Sequence, residues 1–346
     1  METTGEPPRP PRPPGLDAQL RGPSFQGPAT FGQLPLVTEP EDLDRVRPHV
    51  AVVGAPWDDN TSNRPGARFG PRALRAQAYG PGSYHLDLRI EIFDWIEAVD
   101  TGDALCPPGL WEPSREAIRA KVAEVASRRI VPVILGGDHS ITWPAATAVA
   151  ETYGYGNVGI VHFDAHADTA DSVDGNLASH GTPMRRLIES GAVLGRNFVQ
   201  VGLRGYWPPA DVLAWMEEQG MRTHFMQELW ERGAAAVMED AIAEALDGPE
   251  HLYLSVDIDV LDPGFAPGTG TPEPGGMAPV DLLRAVRAIA QRTNLVALDV
   301  VEVCPPYDWA DTTVNNGHRV VWEALAGLAW KRREAGSAPV SGAAPG

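Results

Sequence analysis

Three short clusters hold most of the reactive chemistry in this chain. They are Gly136-Gly137-Asp138-His139-Ser140, Asp164-Ala165-His166-Ala167-Asp168, and Ser255-Val256-Asp257-Ile258-Asp259-Val260-Leu261-Asp262-Pro263. Side chains two apart in an extended chain point to the same face, so Asp164, His166 and Asp168 can converge on one point, as can Asp257 and Asp259. Four carboxylates crowded into one cleft repel one another and partly protonate. Two divalent cations cancel the charge of four aspartates. Oxygen-rich ligands with two imidazoles suit Mn2+ or another octahedral ion, Ni2+ also accepts imidazole, and the lack of a cysteine in the set disfavours soft metals. A metal pair can acidify a bridging water to hydroxide near neutral pH. Each piece alone has a plainer reading: a strand-end Asp as a turn or helix cap, the Asp-x-His-x-Asp run as a single zinc site or a turn, His139 as a core histidine. All three together point to a binuclear centre.

Those clusters need elements to position them. Strand-like apolar runs occur at Val50–Pro56, Ile130–Gly136, Val158–Asp164, Phe198–Arg204, Leu252–Asp257 and Leu295–Val303. Helical patterns at Pro71–Tyr79, Ser114–Arg129, Pro144–Thr152, Ala210–Gln219, Ala234–Leu246, Val280–Arg292 and Val314–Trp330 alternate with them. Such alternation predicts parallel strands with crossover helices, and near-continuous Val/Ile/Leu runs predict strands covered on both faces. The clusters fall at the carboxyl ends of the runs, where open α/β sheets bind their ligands. Gly154-Tyr155-Gly156-Asn157-Val158-Gly159 matches a dinucleotide fingerprint, but a helix precedes it and a strand follows, the reverse of what that motif requires.

The chain has 346 residues, 28 Lys plus Arg against 46 Asp plus Glu, and a formal net charge of −18. That balance excludes ordinary nucleic-acid binding, which relies on cations at phosphates. No apolar run reaches the ~20 residues of a membrane span, and Cys106 and Cys304 make no disulfide framework. A soluble, cytoplasmic protein is expected. Pro7, Pro8, Pro10, Pro11, Pro13 and Pro14 with Arg9 and Arg12 mark residues 1–34 as a separate arm, either poorly ordered or docked on a neighbouring subunit. Residues 35–334 are expected to form the catalytic domain, and 335–346 a disordered tail.

The set GGDHS, FDAHADT and SVDIDVLDPGFAPGTGTPEPGG resembles the ureohydrolases, the family of arginases and agmatinases, over roughly residues 48–330. The resemblance implies one three-layer α/β/α domain with a mostly parallel central sheet, the arginase-like fold. It implies two divalent ions per subunit, Ni2+ or Mn2+, and hydrolysis of a guanidino C–N bond. It places His139 and Asp168 on one metal, His166 and Asp259 on the other, and Asp164 and Asp257 between them, with Asp164 or Asp257 also taking up a proton. It assigns His180, in Ser179-His180-Gly181-Thr182-Pro183, to proton shuttling, for which an imidazole is suited; a helix-start histidine that only caps or packs is the plainer reading. Glu302 matches a guanidinium-binding carboxylate, with Thr271 a supporting polar group, and Asp138, His162 and Asp262 read as residues that hold the ligands or make turns. Trimers or hexamers are implied.

Within the family, the stretch 58–71 and the runs around His180 and Arg204 resemble the agmatinase and guanidine-hydrolase side. Thr61 falls where that branch hydrogen-bonds a small guanidinium. Met277 stands where it tends to carry Trp, which implies room for an N-alkyl guanidine or a biguanide such as metformin. Trp57, Trp207 and Trp309 could wall a cation pocket or serve as ordinary core or subunit contacts. The expected substrate is thus a small guanidino compound. Alternatives are an agmatinase, a formimino-group hydrolase, and a non-catalytic partner subunit of a hetero-oligomer.

Overall fold

The computed structural model describes residues 25–77 and 82–340. Most of the expected arm (1–24) and half of the expected tail (341–346) lie outside the described residues. The strands are β1 (Val50–Ala55), β2 (Tyr84–His85), β3 (Ile90–Glu91), β4 (Ala98–Asp103), β5 (Val131–Gly136), β6 (Val158–Phe163), β7 (Phe198–Val201), β8 (Arg222–His224), β9 (His251–Asp257) and β10 (Leu295–Val301). The α-helices are α1 (Pro40–Val46), α2 (Gly70–Ala76), α3 (Trp111–Ala126), α4 (Thr142–Tyr153), α5 (Pro183–Glu189), α6 (Ala210–Glu218), α7 (Met226–Arg232), α8 (Ala234–Ala245), α9 (Pro279–Arg292) and α10 (Thr312–Glu334).

Eight strands form one sheet in the order β4-β1-β5-β10-β9-β6-β7-β8, all parallel, while β2 and β3 make a small antiparallel ribbon. Both faces of the sheet are covered. On one, Met238 and Ile242 of α8, Val286 and Ile289 of α9 and Val321 and Leu325 of α10 pack against Val161, Leu254 and Leu298. On the other, Ile118 and Val122 of α3, Val149 of α4 and Leu187 of α5 pack against Ile134, Ile160 and Tyr253. This is the expected three-layer α/β/α architecture. Hydrophobic patterning did not reveal the short ribbon β2–β3, nor β4 and β8, which are the edges of the main sheet. An edge strand has one neighbour and need not be apolar throughout, and β4 ends in Thr101-Gly102-Asp103.

Strand order, rather than chain order, builds the site. Strands β9 and β10 insert between β5 and β6, so the four strands that end in reactive residues stand side by side. Phe163 pairs with Val256, so Asp164 and Asp257, each one residue further on, emerge as neighbours. The glycines at 154 and 156 have φ of 102° and 75° and turn the chain from α4 toward β6, as the reversed order of helix and strand predicted. Phe31, inside the segment expected as an arm, is fully buried: its amide donates to Asp100 Oδ2 at 2.9 Å and its ring lies 4.7 Å from that of His318.

Gly159 lies in β6 with the backbone carbonyl of Ala245 where a Cβ would stand. Backbone cannot step aside as a side-chain tip can. Gly159→Ala is therefore expected to cost about 1–3 kcal/mol, read as a lower urea midpoint with unchanged slope; an unshifted midpoint would show that α8 is free to move.

Candidate active site

The six expected ligands meet in two overlapping sets. His139 Nδ1 lies 3.1 Å from Asp164 Oδ2, 3.1 Å from Asp168 Oδ2 and 3.2 Å from Asp257 Oδ2. His166 Nδ1 lies 3.4 Å from Asp164 Oδ1 and 3.1 Å from Asp259 Oδ2. Atoms bound about 2.1 Å from one ion at right angles are about 3.0 Å apart, so the spacing suits shared coordination. His139 Nδ1 is buried with no hydrogen-bond partner, as a ligand atom aimed at an ion should be. Asp164 contributes one oxygen to each set and is central to both. Together these residues form a binuclear site for divalent metal.

The titration behaviour agrees. Burial opposes protonation of His139, but the nearby carboxylates of Asp164, Asp168 and Asp257 outweigh it and hold its pKa well above the usual value. His166 is likewise held up against burial by Asp259 and Asp164. Burial, with the charges of Asp259 and Asp164, pushes Asp257 well above the ordinary carboxylate range. Asp164 goes the other way: bonds from His139, His162 and His166 overcome its burial and keep it ionised.

Buried hydrogen bonds fix the ligand rotamers. His139 Nε2 donates to Ser255 Oγ at 2.9 Å, and Ser255 donates in turn to Asp299 Oδ1 at 2.7 Å. Asp299 Oδ2 accepts from Thr142 Oγ1 at 2.7 Å and Tyr253 OH at 2.6 Å. His162 lies near His139 and Asp164 as a third imidazole, yet both its nitrogens are engaged: Nε2 donates to Asp164 Oδ2 at 2.8 Å, and Nδ1 faces Gln200 Nε2 at 3.3 Å. It holds Asp164 in place, as its sequence position suggested. Thr271 Oγ1 donates to Asp259 Oδ2 at 3.3 Å. Asp262 accepts from the amides of Gly264 and Gly275 and shapes the turn. Arg204 donates to the carbonyls of Asp259 and Glu273, both at 2.7 Å, pinning the loop after β9.

Beside the metal ligands, Glu302 has an unusual backbone, φ 60°, and a split role. Its Oε1 accepts from the His139 amide at 2.9 Å and from His180 Nδ1 at 2.8 Å. Its Oε2 is buried without a partner, and so is Thr61 Oγ1. Both face the missing side chain of Gly270: a Cβ there would stand 3.1 Å from Glu302 Oε2 and 3.5 Å from Thr61 Oγ1. The loop bearing Thr61 is tied down by Asn60, whose amide donates to Asp138 Oδ2 at 3.0 Å and whose carbonyl accepts from the His180 amide at 3.0 Å. Asp138 also caps the turn that carries His139, accepting from the Ser140 amide, and burial with the nearby Glu302 charge pushes it up to about 7.

Other expected residues sit elsewhere. Met277 is 1 % exposed and its side chain joins the hydrophobic core, its amide donating to Val260 O at 2.9 Å. Trp309 is 78 % exposed on the loop after β10. Trp57 is buried, its ring 5.5 Å from that of Trp111, so it is core rather than pocket wall. Ser62, Ser255 and Asp299 escaped the sequence reading. Ser255 and Asp299 are each two or three residues from a recognised functional residue on an inward-facing strand, but a polar residue in an apolar strand does not reveal its partner.

The fold and site together define a binuclear-metal hydrolase built on an α/β/α sandwich. Residues 48–327 match the model of the arginase family, and the chain belongs to that family. It is 40 % identical over 298 residues to the mitochondrial agmatinase of Gallus gallus, covering 86 % of this chain and 84 % of that one. It is 40 % identical over 310 residues to the guanidinopropionase of Pseudomonas aeruginosa, covering 89 % and 93 %. The structure of proclavaminate amidino hydrolase from Streptomyces clavuligerus superposes with a TM-score of 0.79 at 33 % identity, over 90 % of this chain and all (100 %) of that one.

Two outcomes are expected. Ser255→Ala leaves His139 Nε2 and Asp299 Oδ1 unpaired, so Mn2+ affinity should fall by about 10–100-fold, measured by calorimetry; unchanged affinity would show that His139 is held by packing alone. The second concerns pH. The raised pKa values of His139, His166 and Asp257 mean that the ligand set takes up protons more readily than the same side chains free in water. Metal must expel them, so affinity should weaken as pH falls. Calorimetry in buffers of different ionisation enthalpy should show proton release, and identical heats in all buffers would contradict it.

Proposed function

We propose that this chain hydrolyses the C–N bond of a small guanidino compound, with guanidine, an N-alkyl guanidine or a biguanide ahead of agmatine. The observation that carries this reading is the pair of buried, unpartnered oxygens, Glu302 Oε2 and Thr61 Oγ1, on either side of Gly270. A buried acceptor without a donor is costly, and a guanidinium supplies several N–H donors in one plane with a compensating charge. Relatives named agmatinase, guanidinopropionase and proclavaminate amidinohydrolase support a reading centred on the shared group rather than on what is attached to it. The same reading has Mn2+ or Ni2+ as the metal pair and a cytoplasmic trimer or hexamer as the working form. Agmatine ranks lower because its distal ammonium needs a second carboxylate, which this site is not expected to supply.

His139, Asp164, His166, Asp168, Asp257 and Asp259 would hold two divalent ions, which would supply the electrophilic and water-activating chemistry. The chain's own residues do the rest. Glu302 orients the guanidinium so that its carbon faces the metal ligands, while Thr61 fixes one nitrogen. Asp164, which gives one oxygen to each ligand set, or Asp257, beside His139, takes up a proton. His180 receives opposing instructions. Burial works against the imidazolium, but the Glu302 charge outweighs it and lifts the pKa to about 9. The Ser62 amide, 3.0 Å from Nε2, favours the neutral ring. A guanidinium on Glu302 cancels the carboxylate charge, so the amide prevails when substrate is bound. Ser62 Oγ lies 2.7 Å from Nε2 and Ser62 is exposed, so a proton passing through His180 has an exit to solvent. Products are ammonia or an amine with urea, or guanylurea from a biguanide.

Metal-loaded protein incubated with guanidine, methylated guanidines, metformin, agmatine, guanidinobutyrate and arginine should release urea or amine fastest from the small guanidines. Preference for agmatine by more than about tenfold would make this an agmatinase, the limit to which an apolar pocket grades close analogues being roughly 10–200-fold. Glu302→Gln should keep bound metal and lose about 10²-fold or more in kcat/KM; retained activity would remove Glu302 from the substrate site.

A further inference from the structure

The metal ligands lie at the carboxyl ends of the strands. At the opposite end of the sheet is a second cavity of about 820 Å3. The first residues of β1, β5 and β10, Val50, Val131 and Leu295, help to line it, and Ile96 adds to its apolar floor. Its rim is where three helices end. Arg47 caps the C-terminus of α1, Arg128 and Arg129 follow α3, and Lys331 and Arg332 lie in the last turn of α10. These five cations share the lining with a single carboxylate, Asp44, in a chain of net charge −18.

Basic residues at helix C-termini answer the helix dipole, which is the plainer explanation. Each helix end carries roughly half a negative charge, so three ends and Asp44 offset about two and a half of the five positive charges. Side-chain bonding leaves the same surplus. Asp44 is taken by Arg128, at 2.8 Å, and Lys331 Nζ reaches only a carbonyl, Thr293 O, at 2.6 Å. Arg47 and Arg129 make no ion pair with a carboxylate among the described residues, and Arg129 lies 4.4 Å over the Tyr153 ring. Both are exposed at the cavity.

We propose that this cavity binds a small organic anion, with a phosphate or carboxylate head held by Arg47 and Arg129 and an apolar body on the floor. The volume falls in the range of small-molecule sites, and guanidinium pairs suit planar or tetrahedral oxyanions. The site is separated from the metal centre by the length of strands β1, β5 and β10, roughly 20 Å. Its ligand is therefore not the substrate, and binding there stabilises the fold by linkage.

Calorimetry on the metal-loaded protein with phenyl phosphate, inorganic phosphate and benzoate tests this. Phenyl phosphate or benzoate should bind saturably, and phenyl phosphate more tightly than inorganic phosphate; the comparison with benzoate identifies the preferred head group. Arg47 and Arg129 have φ of 48° and 60°, a conformation that Asn tolerates. The double variant Arg47→Asn, Arg129→Asn should therefore fold, hydrolyse substrate at the wild-type rate and bind the organic anion about tenfold or more weakly. No binding to the wild-type protein below ~10 mM, weaker than nearly all specific small-molecule sites, would overturn the proposal. So would equal affinity in the variant, which would put the anion elsewhere, such as at the metal centre. If the double variant does not fold, Arg47→Asn alone gives the same comparison.

Discussion

Negative charge at the ends of four adjacent strands is the constraint on which this molecule is organised. Asp164, Asp168, Asp257 and Asp259 stand within a few ångströms of two imidazole nitrogens, and all but Asp168 are almost completely buried. Left alone, such a group would share protons or push itself apart. Its arrangement is worth maintaining because divalent ions can settle on it. Three of the four carboxylates accept a backbone amide: Asp164 from His166, Asp257 from Asp259 and Asp259 from Ala165. The carboxylates are thus oriented largely by backbone groups at strand ends.

That arrangement also ties the metal-ligand cluster to Glu302 and to the loop that bears Thr61. The turn that presents His139 is capped by Asp138, and Asp138 also holds the amide of Asn60, next to Thr61. The His139 amide donates to the same Glu302 oxygen that accepts from His180. One carboxylate therefore touches the backbone of His139, the imidazole of His180 and the open space by Gly270. A disturbance at any of the three reaches the others through one or two hydrogen bonds. It also explains why Glu302 keeps a left-handed φ: its neighbours over-determine it.

The two ends of the sheet have opposite characters. At the carboxyl ends aspartates converge, and at the amino ends arginines and a lysine gather around three helix C-termini. Both follow from parallel topology, which sends all strand ends of one kind to one side. Local charge in this strongly acidic chain is therefore set by topology more than by composition.

Much of this was legible in the sequence. The Asp-x-His-x-Asp spacing marked Asp164, His166 and Asp168 as one cluster, but not by strand alternation: β6 ends at Phe163, the chain bends at 165–166 and Asp168 has a φ of 52°, so a turn gathers them. Continuous apolar runs identified the central strands, because a strand buried on both faces has no room for a polar pattern. The edge strands β4 and β8 were not legible, since an edge strand need not be apolar. Trp57 stood open between pocket wall and core, because an aromatic at a strand end is equally suited to either environment, and only its contact with Trp111 places it in the core. Ser255 and Asp299 had no signal of their own, because a serine and an aspartate 44 residues apart become partners only through the pairing of β9 with β10. The chain alone determined which residue types could bind metal and which elements carry them. The tertiary structure decided the order β5-β10-β9-β6, which brings residues far apart in sequence within 3–4 Å. It also decided which polar atoms were left without partners, and those atoms are where substrate is expected to bind.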